Sequence, residues 1–174
     1  MNDKTKNIIK DISSYVIVIL IVVIIRVFIF DPVRVDGPSM DTTLANGQIL
    51  ILDKMSYRKK DIKRFDIVVI KLDNKKIIKR VIGLPNEVVE VKDNTIYVNG
   101  KEINDPYAST DTDDFDMGKI GLIKIPGDSY LVMGDNREVS LDSRYAEVGT
   151  IKREKILGKA TLRVWPFTKI GKVK

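Results

Sequence analysis

The segment VRVDGPSMDTTL, residues 33 to 44, places Ser39 behind Asp36-Gly37-Pro38, where the backbone must turn sharply and expose the next side chain. An exposed serine on a tight turn has the form of a nucleophile, but its hydroxyl is inert until a neighbouring base takes the proton. Histidine is the usual base, and the chain has none; it has no cysteine either. Lysine remains. At an ordinary pKa near 10.4 only about 4 lysines in 10,000 are neutral at pH 7, whereas a pKa of ~8 leaves about a tenth neutral and costs ~3 kcal/mol. Lys79, within KKIIKRVIG (75–83), meets the conditions for such a shift. Residues two apart on a strand share a face, so Ile77 and Val81 flank Lys79 while Ile78 and Ile82 flank Arg80. Apolar surroundings disfavour the ammonium form. Taken alone, though, a lysine between apolar strand residues more often runs its stem along the surface and keeps its head in water.

A third segment, GDNREVSLDSR (134–144), opens on a turn and carries Ser140, Asp142 and Arg144. Asp142 and Arg144 fall on one side of an extended chain, placed for ion pairing. Such a cluster staples a loop, and it can also hold a lysine in place, a task to which the Ser140 hydroxyl is suited. Two other patterns carry no chemistry. Ser56-Tyr57-Arg58-Lys59 matches the Ser-x-x-Lys of penicillin-binding enzymes, but it sits in a polar, basic stretch without that family's companion motifs. NDPYASTDTDDFDMG (104–118) holds five aspartates. A calcium loop starting at Asp111 would need an oxygen ligand, a glycine and a glutamate where the chain has Phe115, Asp116 and Leu122. The segment reads instead as an exposed loop or part of a small inserted lobe.

The elements that must position these residues emerge from composition and patterning. With 174 residues, 44% hydrophobic and 31% charged, the chain accommodates one membrane segment and one compact domain. Without cysteine or histidine a zinc site is improbable, and no cofactor or metal is expected. The net charge is +6, but the 30 basic residues are dispersed and no nucleic-acid-binding motif occurs. A basic surface beside an anionic membrane is the simpler reading, with no nucleic-acid partner.

Residues 12 to 30, ISSYVIVILIVVIIRVFIF, form a 19-residue run with one charge, Arg26. That length matches a bilayer-crossing helix, and Arg26 near its end can snorkel to the headgroups. A cleaved signal peptide would need small residues before its cut, whereas Phe30-Asp31-Pro32-Val33-Arg34 offers none, so a retained single-pass anchor is expected. Lys4, Lys6 and Lys10 precede the run against Asp3 and Asp11, a slight bias for a cytoplasmic N-terminus. The expected organisation is thus a cytoplasmic tail (1–11), an anchor (12–30) and an extracytoplasmic domain (31–174). Short β-branched runs at 48–53, 66–72, 75–83, 87–92, 95–99, 121–126, 129–135 and 156–167 predict strands. Asn99-Gly100 predicts a type I′ turn. The fold class is mostly β, a coiled, barrel-like antiparallel sheet behind one transmembrane helix.

Taken together, the segments resemble the bacterial type I signal peptidases, or leader peptidases. The resemblance covers nearly the whole chain in order: RVFIFDPVRV, GPSMDTTL, DIVVIKL, KRVIGLP and GDNREVSLDSR. It implies a bacterial cell-membrane enzyme, a serine endopeptidase that cuts signal peptides from exported preproteins after small residues, in an Ala-x-Ala pattern. It implies Ser39 as nucleophile and Lys79 as general base, Ser140 orienting the lysine, and Asp142 with Arg144 bracing the site. By family position, Val33, Val35, Ile78 and Leu141 wall the substrate pockets, and residues 93 to 124 form a short inserted β lobe. The partners implied are preproteins and a phospholipid membrane, and the state is monomeric. The family carries proline where this chain has Thr42, and glycine where it has Phe65 and Asn86. Two rivals make different predictions. A self-cleaving repressor-type protease would be soluble with a helical DNA-binding domain; a non-enzymatic anchored β domain would tolerate alanine at Ser39 and Lys79.

Overall fold

In a computed structural model, residues 3–72 and 75–173 are described. A helix, α1 (Asp3–Phe28), leads into β1 (Phe30–Arg34). Pro32 restricts Asp31 to extended backbone, so the expected 12–30 run divides, with Phe30 already paired to Asp53. The described α1 side chains from Ile12 to Ile24 are all exposed. Those of Ile25, Val27 and Phe28, part of the expected anchor, lie outside the described residues; among the described residues no helix is long and apolar enough to cross a membrane.

The remainder is mostly β. The strands are β2 (Ile49–Asp53), β3 (Ile67–Leu72), β4 (Lys75–Gly83), β5 (Val89–Lys92), β6 (Thr95–Val98), β7 (Lys101–Ile103), β8 (Ser129–Met133), β9 (Ile151–Lys152), β10 (Ile156–Trp165) and β11 (Gly171–Lys172). A short helix, α2 (Ser56–Lys59), occupies the Ser-x-x-Lys stretch. The main sheet runs β1-β2-β10-β3-β4-β8-β9, with β11 on β10, and every pairing is antiparallel. Among the described strands this ladder is an open path from β1 to β9, not a closed barrel. Register shifts along β10 and between β4 and β8 supply its bends. Pro32, which cannot donate to a ladder, sits on the edge strand β1, where that omission is tolerated.

A second sheet, β5-β6-β7, contains two tight turns. Asp93 and Asn94 lie at φ 47° and 62°, and Asn99 and Gly100 at 52° and 75°. Positive φ at both central residues is the type I′ requirement, as expected for Asn99-Gly100. The strand expected at 121–126 does not form. Gly121, at φ 70°, closes a 3-10 turn over Met117–Ile120. Beyond it only Ile125 bonds to the neighbouring chain, its N–H to Glu87 O and its carbonyl to Asn86 N. Phe65 and Asn86, where the resembling family carries glycine, sit at φ 68° and 67°. That left-handed region favours glycine, tolerates asparagine and strains a bulky residue such as Phe65.

The core lies on both faces of β3 and β4. On one face Leu50, Leu52, Val69 and Ile78 pack with Val33, Val35, Met40 and Leu44. On the other, Val68, Ile70, Val81 and Val132 pack with Tyr57 and Ile156. The small sheet docks on the far end through Ile82, Leu131 and Met133.

Candidate active site

Lys79 lies in the middle of β4, opposite Val68 of β3. On its other side β4 meets β8 only from Arg80, which faces Met133. β8 therefore ends where Lys79 would need a partner, and the 134–144 loop takes over that edge. Lys79 is 3% exposed, and its Nζ donates to Ser140 Oγ at 2.9 Å. Ser140 Oγ also accepts from Gly134 N at 3.1 Å. Two donors aimed at one hydroxyl oxygen occupy its lone pairs, so Ser140 acts on the lysine as an acceptor.

The Ser39 turn approaches the same glycine. Met40 and Leu44, both buried, anchor the turn in the core, and Ser39 O accepts from Asn136 N at 3.1 Å. A Cβ on Gly134 would overlap both Ser140 Oγ and Ser39 O, so glycine is required there by space. Half-buried Ser39 and buried Lys79 line one pocket of about 220 Å³ with Val35, Met40, Ile77 and Ile78. The exposed Arg34, Asp36, Lys75 and Lys76 complete its lining.

Burial pushes the Lys79 amine down to about 8 from an ordinary 10.5. Asp142 opposes the shift, Arg144 adds to it, and Asp135 and Lys75 have smaller, opposite effects. Desolvation prevails because the nearby charges largely cancel. Asp142 is fully buried and accepts from Gly134 N at 3.0 Å and from Arg144 Nε at 2.9 Å. Arg144 also donates to Arg137 O at 2.6 Å. The pair thereby ties both ends of the loop together.

All five residues singled out from the sequence, Ser39, Lys79, Ser140, Asp142 and Arg144, thus surround Gly134 or pair with its neighbours. Of the four expected pocket walls, Val35 and Ile78 line the pocket. Val33 is buried in the core cluster beside them. Leu141 is 45% exposed and falls outside the pocket's lining residues, because Ser140 and Asp142 on either side turn inward. Sequence reasoning missed the Arg80–Asp135 pair, with 0% side-chain exposure for each partner and 2.7 Å between Arg80 Nη2 and Asp135 Oδ2. Tyr107 stacks on this arginine, 3.7 Å from ring centroid to guanidinium carbon. The available signal was Arg80 itself, a charge flanked by Ile78 and Ile82 that cannot stay buried without a partner.

A family profile described as signal peptidase, peptidase S26, matches residues 8–165. The chain is 36% identical to a signal peptidase I of Bacillus licheniformis, across 98% of this chain and 95% of that one. It is 39% identical to signal peptidase I P of Bacillus subtilis subsp. natto, across 98% and 96%. A crystal structure of a signal peptidase I from Enterococcus faecalis V583 is 33% identical, with a TM-score of 0.54, covering 59% of this chain and 98% of that one. The chain accordingly belongs to the signal peptidase family, peptidase S26, and is a serine endopeptidase.

Proposed function

We infer that this peptidase removes signal peptides from exported preproteins, cutting after small residues in an Ala-x-Ala pattern, with Ser39 as nucleophile and Lys79 as general base. The observation that carries the reading is one buried amine, lowered to about 8, in the same pocket as an otherwise inert hydroxyl. Neutral Lys79 takes the Ser39 proton as the oxygen attacks the scissile carbonyl carbon. The tetrahedral intermediate collapses as the Lys79 ammonium protonates the departing amine of the mature protein, leaving the signal peptide as an ester on Ser39. Lys79 then deprotonates a water that attacks this ester, and its proton returns to Ser39. Ser140, by accepting from the amine, aims it without consuming its lone pair. The Ser39 backbone N–H is the first donor to the developing oxyanion. Some family members supply a second donor from a serine hydroxyl two residues before the nucleophile; this chain has Gly37 at that position, which leaves the second donor unassigned. The walls formed by Val35 and Ile78 suit a methyl side chain and reject larger ones by clash.

The same reading makes α1 a single-pass anchor at the bacterial cell membrane, with the β domain outside. Thirteen positions, 12 to 24, are exposed on every face of the helix, an apolar surface that water does not tolerate without a lipid or protein cover. Phe30 and Phe167, 43% and 73% exposed, supply further apolar surface on the β domain. The test is cleavage of a peptide bearing Ala-x-Ala by purified protein in detergent. Ser39→Ala and Lys79→Ala are each expected to lower the rate by at least about 1,000-fold. Processing at the parent rate by either variant would remove the dyad.

A further inference from the structure

The chain between β7 and the Met117 turn runs alongside the 134–144 loop and is tied to four consecutive residues of it. Asp135 O accepts from Ser109 N at 2.8 Å. Thr110 Oγ1 donates to Asn136 Oδ1 at 3.3 Å and accepts from Glu138 N at 3.1 Å. Arg137 donates to Thr112 Oγ1 at 3.0 Å and pairs with Asp105.

One hydroxyl on this strap reaches beyond the loop. Ser109 Oγ donates to Asp41 O at 2.6 Å and also lies 3.2 Å from Asp135 O. Asp41 is two residues past Ser39, within the same turn. From the loop side, Asn136 N holds Ser39 O. The nucleophile's turn and the loop that carries Ser140 are thus joined by a loop amide and by a side chain of the strap, beside the Arg80 guanidinium, which donates to both Thr43 Oγ1 and Asp135 Oδ2. Ser109 is exposed, so its hydroxyl fills no space in the core and its bridging bonds are what it contributes.

We propose that Ser109 is a positioning residue: its hydroxyl locks the Ser39 turn to the 134–144 loop, fixing the Ser39 hydroxyl against the Lys79 amine. The strap is then part of the catalytic geometry, and not only a connection to the small sheet. This rests on Ser39 acting as the nucleophile. A bridge of this kind affects the chemical step and not the binding of peptide, because Ser109 is not among the residues lining the substrate pocket. It leaves the lysine's titration alone, because Ser109 is not among the groups that shift Lys79.

The test is steady-state cleavage of an Ala-x-Ala peptide by the full-length protein in detergent, for Ser109→Ala and Ser109→Thr beside Ser39→Ala. Since a misplacement of 1 Å costs on the order of 100-fold, loss of the bridge next to Ser39 while the others remain is expected to lower kcat about tenfold, with KM within about twofold of the parent. The pH midpoint of the Ser109→Ala rate is expected to stay at the parent's. Ser109→Thr keeps the hydroxyl at an exposed position with room for a methyl, and is expected to restore kcat. That rescue decides the matter whether or not Ser109→Ala shifts the unfolding temperature. Parent kcat in Ser109→Ala, a change confined to KM, a shifted pH midpoint, or Ser109→Thr as slow as Ser109→Ala would each overturn the bridge. If Ser39→Ala is inert while Ser109→Ala is fully active, only the bridge fails. If Ser39→Ala is itself active, the nucleophile assignment fails with it.

Discussion

At the scale of single residues, Lys79 sets function against stability. Its pKa is about 8 when folded, against an ordinary 10.5. Below pH 8 both states hold the proton and the native state bears the whole desolvation cost, ~3 kcal/mol at 1.36 kcal/mol per unit. Between about pH 8 and 10.5 the unfolded chain binds the proton more tightly, so stability rises with pH across that window. Lys79→Met keeps the length of the side chain and removes the charge. Allowing ~1 kcal/mol for the lost hydrogen bond to Ser140, the variant is expected to be about 2 kcal/mol more stable at pH 7. That advantage shrinks toward pH 10. Urea unfolding at the two pH values checks this, and a variant less stable at pH 7 contradicts it. Strand alternation showed the apolar neighbours of Lys79 and the absence of histidine left few bases, but that pattern alone favoured a lysine reaching solvent; the family resemblance was what pointed to a buried amine, as it is found here. Gly134 and Asp135 were not legible, since their partners Ser39 and Arg80 lie far away in sequence and only the folded sheet brings them together.

At the scale of elements, the period-two runs fixed the strands from β2 to β6, β8 and β10 closely, because each is β-branched and bounded by turn residues. Other features escaped that signal, among them β9 and β11, each only two residues long. β1 was concealed by the apolar run that precedes it, and the expected strand at 121–126 was overridden by the left-handed Gly121. The order of the sheet was not legible either: β10 enters between β2 and β3, from the far end of the chain. What holds the loop beside β4 is equally non-local. The Arg80–Asp135 pair joins β4 to the start of the 134–144 loop with both side chains fully buried. Removing one partner of such a pair strands a charge in the core, so Asp135→Ala is expected to lower unfolding free energy by about 3–5 kcal/mol. Chemical denaturation measures it; a loss below ~1 kcal/mol would mean that the remaining contacts of Arg80 suffice to hold its charge.

At the scale of the whole molecule, an apolar helix joins a β domain whose candidate pocket is built from the end of β1, the turn after it and β4, with the loop after β8 holding Lys79 through Ser140. β1 begins two residues beyond the helix, so the helix and the pocket are coupled by one short strand. If the helix is an anchor, deleting residues 1 to 28 should move the protein from the membrane fraction to the soluble one. The β domain should keep its sheet, as circular dichroism would show; a full-length chain recovered in the soluble fraction would count against the anchor. The central claim concerns the amine, and the pH dependence of kcat/KM for the peptide tests it most directly. With a folded pKa of about 8, the rate is expected to rise about tenfold between pH 7 and 9, with unit slope at the acid end and a plateau above the midpoint. A rate that is flat or falling over that interval, or that is still climbing with unit slope through pH 10, would contradict a buried lysine base.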